Sequence, residues 1–283
     1  MRLRFIYAAL PLSAFILSAC ATQVPVHESL PAAARDNIAS ADVVLPIKQS
    51  EIYVFVPNSQ VAAAGGGGLL LALIDAGVDS VRTSKAEAAV KPLRDAIVDY
   101  NFDQTLQSEI QTSLASDPWL HPDHAHVIKE LTNDSLDRAI ADSKDAAVLF
   151  ATADYRLSNN AVELTITMTA SLFPNSDALN ALKQRAKSDP SSSLANSLYH
   201  NTLTFTADVP NATDDRDRNI ATWSANNGAV MRATLTKGSR ELARMLASDL
   251  QGPEADTALS SDPDGAIMRS GDGTLRASAK SVP

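Results

Sequence analysis

From Val162 to Leu172 the chain alternates without a break. Val162, Leu164, Ile166, Met168, Ala170 and Leu172 are apolar; Glu163, Thr165, Thr167, Thr169 and Ser171 between them are polar. Successive side chains of a strand point to opposite faces, so this pattern places one face on a core and the other in water. Ala146 to Leu157 repeats it, with Leu149, Ala151, Ala153, Tyr155 and Leu157 on one face. Ser158-Asn159-Asn160 between the two runs suits a tight turn. Leu203, Phe205, Ala207 and Val209 alternate in turn with Thr202, Thr204, Thr206 and Asp208. The expectation is three antiparallel strands sharing one apolar face. If the last two are neighbours, Thr165, Thr167 and Thr169 stand beside Thr202, Thr204 and Thr206. Such a ladder is ordinary sheet surface, because threonine favours strands and tolerates water; it is also a possible partner or oligomer contact.

The segments around these strands read mostly as helix. Phe102, Leu106, Ile110 and Leu114 recur every four residues, an amphipathic stripe against a core. Ala86 to Tyr100 has helical spacing with Pro92 inside it, predicting a kink or a new start there. Val127 to Ala141 reads as a helix facing inward through Ile128, Leu131, Leu136 and Ile140. Ile220 to Leu250 reads as a long helix with bends at Gly228 and Gly238, stopped by Gly252-Pro253. Earlier in the chain, Val43–Ile47 and Glu51–Val56 are short β-rich runs. The second is apolar on both faces and is expected to be a central, buried strand. The predicted fold class is α+β, an antiparallel sheet of three to five strands with helices packed on one face and a long C-terminal helix. The globular domain is expected over 42–252, and 253–283 as a loose tail or weak hairpin around Gly271-Asp272-Gly273.

The N-terminus sets the expected location. Arg2 and Arg4 form a basic start, Phe5 to Leu17 an apolar run, and Leu17-Ser18-Ala19-Cys20 closes it with the chain's 1 cysteine. The run is shorter than the roughly 20 residues a spanning helix needs. These residues resemble the signal peptide and lipobox of a bacterial lipoprotein precursor. The resemblance implies removal of 1–19 and lipidation of Cys20, whose sulfur takes a thioether-linked diacylglycerol and whose freed amine takes a further acyl chain. Ala21 and Thr22 stand where an aspartate would imply inner-membrane retention, so the resemblance implies an outer membrane facing the periplasm. Residues 20–41, with Pro25 and Pro31, then read as a lipidated tether. Losing both leader arginines takes the formal net charge from −9 to −11. An acidic body argues against nucleic acid, which needs clustered Lys and Arg. With the cysteine acylated, no disulfide is available. The element order is also distantly similar to periplasmic domains of envelope lipoproteins that assemble secretion channels. The implied partners are the membrane, through the lipid, and an envelope protein or a second copy.

No stretch carries a legible catalytic motif or calls for a cofactor. Gly65 to Gly68 follow a strand-like run, but no Lys-Ser or Lys-Thr follows them, as a phosphate-binding loop requires. Leu69, Leu70, Leu71, Leu73 and Ile74 read as a buried helix, with membrane or partner contact as the alternative. His121, His124 and His126, near Asp117 and Asp123, are the candidate metal ligands, since imidazoles plus a carboxylate suit zinc. Their spacing matches no metalloenzyme motif, so no metal is assigned. There is no Gly-x-Ser-x-Gly elbow, and His200 has no legible partner. The function read from sequence is a binding or assembly accessory of the cell envelope, not an enzyme. A lipid-anchored hydrolase or metal-binding protein is the alternative.

Overall fold

The computed structural model describes residues 27–55, 80–116, 119–120, 122, 125–129, 132–185, 196–252 and 267–279. In chain order the elements are α1 (Ala32–Arg35), β1 (Ala41–Pro46), β2 (Tyr53–Val54), α2 (Ser80–Ala96), α3 (Phe102–Ala115), β3 (Ala125–Ile128), α4 (Asn133–Asp142), β4 (Ala147–Leu157), β5 (Glu163–Pro174), α5 (Asp177–Arg185), β6 (Tyr199–Asp208), α6 (Arg216–Gln251), β7 (Ile267–Arg269) and β8 (Leu275–Ala279).

The alternating runs form the centre of the sheet. β4 pairs antiparallel with β5 from Ala147↔Pro174 to Leu157↔Leu164, and β5 with β6 from Glu163↔Asp208 to Leu172↔Tyr199. The sheet is larger than the alternation predicts and is mixed. Its 8 strands run β3-β1-β4-β5-β6-β8-β7, with β2 also on β4. β1 is parallel to both β3 and β4, β2 is parallel to β4, and β8 is parallel to β6. The roles of the two early β runs are therefore reversed. The run at 43–47 supplies the interior strand, and only Tyr53–Val54 of the second pairs, on the outer side of β4. The segment expected to be one helix from Val127 begins as strand β3, and its helix starts at Asn133 behind a Thr132 capping box.

β1 and β2 lie end to end along β4, and Gln49 bridges the gap between them. Its carboxamide accepts from the Tyr155 N–H at 2.9 Å and donates to the Tyr155 carbonyl at 2.7 Å. A side chain thus stands in for one peptide unit of the ladder and satisfies a strand residue left without a partner.

Helices α2, α3 and α6 pack together over the apolar face, α6 lying across β5 and β6. Leu93, Leu106, Ile110, Leu114, Leu149, Ile166, Phe205, Trp223, Leu235 and Leu242 are fully buried between helices and sheet. One helix breaks the one-face expectation: α4 covers the opposite face at the β1–β4 end, where Leu136, Ala139 and Ile140 pack on Val44, Val148 and Phe150. α2 passes through Pro92 as one helix. α6 is capped by Asp215 and interrupted at 225–228, where Asn226, Asn227 and Gly228 have φ of 52°, 59° and 69°. Glycine is required at 228: a Cβ there would lie 2.5 Å from Ile97 Cγ2, at the end of α2. Arg232 ties the break to that end, donating to Asn227 O at 2.9 Å and Ala96 O at 2.7 Å. Gly238 marks no bend and instead lets α6 lie close on the sheet. The Gly271-Asp272-Gly273 segment is the turn of the β7–β8 hairpin, which joins the main sheet through β8.

Candidate interaction surface

The threonine ladder forms. Register pairs Thr165↔Thr206, Thr167↔Thr204 and Thr169↔Thr202. β4 and β8 extend it on either side into three rows. They are Thr152–Thr169–Thr202, Asp154–Thr167–Thr204–Arg276 and Arg156–Thr165–Thr206–Ser278. Tyr53 stands beside Arg156 on β2. α4 covers the β1–β4 end of this face, and Ser171 and His200, at the same end of β5 and β6, are buried. The threonines are half-buried by one another; Thr152 donates to Thr169 O at 3.2 Å, and the Thr169 and Thr202 hydroxyls lie 3.4 Å apart.

Two features make this face more than a solvated sheet. Asp154 Oδ1 is buried with no hydrogen-bond partner among the described residues, and burial, opposed by Arg156, pushes its carboxyl above the usual carboxylate range. Burial and then the Asp154 charge push the Tyr53 phenol up as well. The margins of the face are apolar: Phe55, 43% exposed, beyond β2, and Met268, 61% exposed, on β7. The Arg156 guanidinium sits 4.7 Å from the Phe55 ring centroid, while also hydrogen-bonding Tyr53.

The core side of the sheet carries a buried polar hub. Asp249, 2% exposed near the end of α6, accepts from Tyr199 Oη at 2.7 Å, Asn201 Nδ2 at 2.6 Å and Arg269 Nη2 at 2.6 Å. His27 Nε2 lies 3.7 Å away, and its ring packs on Gly273, where a Cβ would come within 2.4 Å. One carboxylate therefore joins the N-terminal segment, β6, α6 and the C-terminal hairpin. Burial, then the adjacent Asp249, push the Tyr199 phenol well up, which keeps it a donor.

His200 finds a partner the sequence does not indicate. Its Nδ1 lies 2.8 Å from Ser171 Oγ, both residues being buried, and its backbone bridges to Glu28. The neighbouring charge that acts on His200 is that of His27. Desolvation, then His27, hold the His200 imidazole below its usual range. A base depressed in the fold binds fewer protons folded than unfolded. Its contribution is present above the unfolded value, about 6.5, and is lost as pH falls below that value toward the folded one. The urea midpoint is expected to drop between neutral and mildly acidic pH, and to drop less in His200→Gln; equal slopes for the two proteins would contradict this.

A cleft of about 310 Å³ opens beside β2, lined by Gln49, Asp99, Tyr100, Asp103, Lys129 and Tyr155. Its charges are committed: Lys129 pairs with Asp103, and Arg232 with Asp99. The Tyr155 phenol is pushed up by burial and by Asp103, so it does not serve as a base.

Of the residues singled out by sequence, Leu17, Ser18, Ala19 and Cys20 lie outside the described residues. So do Leu69, Leu70, Leu71, Leu73 and Ile74, and His121, His124, Asp117 and Asp123. His126 is described; it lies on β3, not in a loop, half-exposed, with Nδ1 3.5 Å from Asp42 Oδ1. Among the described residues no group of 3 potential ligands converges on one point. No described helix is long and apolar enough to cross a membrane.

No family model matches the chain. No curated protein matches it. Among solved structures, the PelC dodecamer from Paraburkholderia phytofirmans is similar at 13% identity and a TM-score of 0.27, over 80% of this chain and 96% of that one. At that identity and score, no property of PelC carries over to this chain.

Proposed function

We propose that this chain is an outer-membrane-type lipoprotein whose folded body is a binding or assembly accessory in the cell envelope. The Leu17-Ser18-Ala19-Cys20 sequence after a basic, apolar leader supports the anchor. Two or three acyl chains, at about 0.8 kcal/mol per buried methylene, hold a protein on a membrane stably. The observation that carries the assembly role is the partly exposed threonine face, with exposed apolar side chains at both margins. The charged groups of the open cleft are paired with one another, which favours binding over hydrolysis there.

Crosslinking in intact envelopes followed by pulldown tests the role. The expected result is recovery of discrete crosslinked species that diminish when Thr167 or Thr204 is replaced by lysine. Recovery of the uncrosslinked chain alone would overturn it.

A further inference from the structure

We propose that the occupant of the threonine face is a second copy of this chain, related by a two-fold axis that runs parallel to the strands between β5 and β6. This deepens the assembly reading, and most of its support is independent of the anchor.

The register carries the argument. The four columns of the face are β4, β5, β6 and β8, and its middle row reads Asp154, Thr167, Thr204, Arg276. A two-fold axis along the strands lays this row on its own reverse. Asp154 then faces Arg276 of the second copy, Thr167 faces Thr204, and both pairs occur twice. The row is thus self-complementary in charge, as an isologous interface must be. Sheets packed face to face cross at about 30°, a rotation that displaces the outer rows more than the middle one.

The two ends of that row are opposite in charge. Asp154 is partly exposed on this face, although its Oδ1 is enclosed within the chain itself. Arg276 is exposed, and the charge it acts on in its own chain is the surface carboxylate of Asp272. Arg156, the nearer cation, is held by the Phe55 ring and the Tyr53 hydroxyl. The same operation carries the β2 margin of one copy over the β7 margin of the other, so the exposed Phe55 and Met268 cover apolar surface in each other's neighbourhood. An axis along the strands also leaves both N-terminal segments at one end, since Glu28 is bridged to His200 at the start of β6. Two chains anchored in one membrane require that arrangement; this last point alone rests on the lipid anchor.

Sedimentation equilibrium of the whole purified chain, in density-matched detergent, reads the association directly. The expected species is a dimer. Arg276→Asp, a change at an exposed side chain, sets two carboxylates against each other and is expected to weaken association about tenfold or more. Adding Asp154→Arg to that variant restores the opposite-charge pairs and the dimer. Thr204→Lys, close to the axis, is expected to give monomer with an unchanged circular dichroism spectrum. A wild-type monomer, or a dimer indifferent to both Arg276→Asp and Thr204→Lys, overturns the proposal. Because the purified chain needs no partner and no membrane here, failure of self-pairing leaves the envelope crosslinking result to stand or fall separately.

Discussion

Replacing Asp249 by alanine is expected to cost about 3–5 kcal/mol, the scale for removing one partner from a buried charged network. The loss exceeds that of one hydrogen bond because three donors are stranded together: Tyr199 Oη, Asn201 Nδ2 and the Arg269 guanidinium. Arg269 keeps Gly273 O at 2.8 Å, inside its own hairpin, but loses its carboxylate on α6. The effect is expected to be both global and local. The urea midpoint falls, and amide exchange over 267–279 accelerates beyond what global unfolding accounts for, because the hairpin then loses its carboxylate tie to α6. Asp249→Asn does not restore the hub, since either orientation of its amide turns a donor toward donors, Tyr199 and Asn201 in one and Arg269 in the other. A stability within 1 kcal/mol of wild type, with unchanged exchange in the hairpin, would contradict the hub.

Gly238→Val is expected to destabilise by about 3 kcal/mol, the upper end of the overpacking range. A Cβ at 238 would lie 2.4 Å from Ile166 Cδ1 and 2.7 Å from Phe205 Cδ1. The isoleucine methyl is the end of a flexible chain and can turn aside. The Phe205 ring is fully buried in the packed core and has no such freedom. Alanine carries the same Cβ into these contacts and offsets about 1 kcal/mol through helix propensity, so Gly238→Ala is also expected to destabilise, but less than valine, whose two further methyls lift α6 from β5 and β6. Urea unfolding of the pair measures this directly. A valine variant as stable as the alanine one would mean that the helix does not sit as close to the sheet as described.

The centre of the sheet was legible because its signal is local and long. Strict alternation over about ten residues in each of three runs, the first two joined by a tight turn, leaves one register that buries every apolar side chain. The rest of the sheet rests on partners distant in sequence. β1, β2 and β3 are parallel strands of 6, 2 and 4 residues, too short for alternation to separate from a buried run. The bias toward an antiparallel sheet of three to five strands came from seeing only its hairpin-connected part. β7 and β8 were readable as a hairpin, but nothing local indicates that β8 lies against β6. The threonine ladder was readable in composition and alternation; Asp154 and Arg276, which give its middle row direction, became visible only with the β4 and β8 registers. Asp249 carried a signal that could have been used. It lies seven residues after Leu242 and three after Leu246, on the apolar stripe of α6, and an acid on such a stripe requires a buried partner. The partners, at 27, 199–201 and 269, could not be found by spacing.

The proposed anchor sets where this surface would work, and one measurement addresses it most directly. Cells producing the wild-type chain and Cys20→Ala are labelled with palmitate and fractionated. The account predicts that the wild type incorporates label and sediments with outer membrane, whereas Cys20→Ala takes up no label and leaves the membrane fraction. A Cys20→Ala protein that still labels and sediments like the wild type would contradict it.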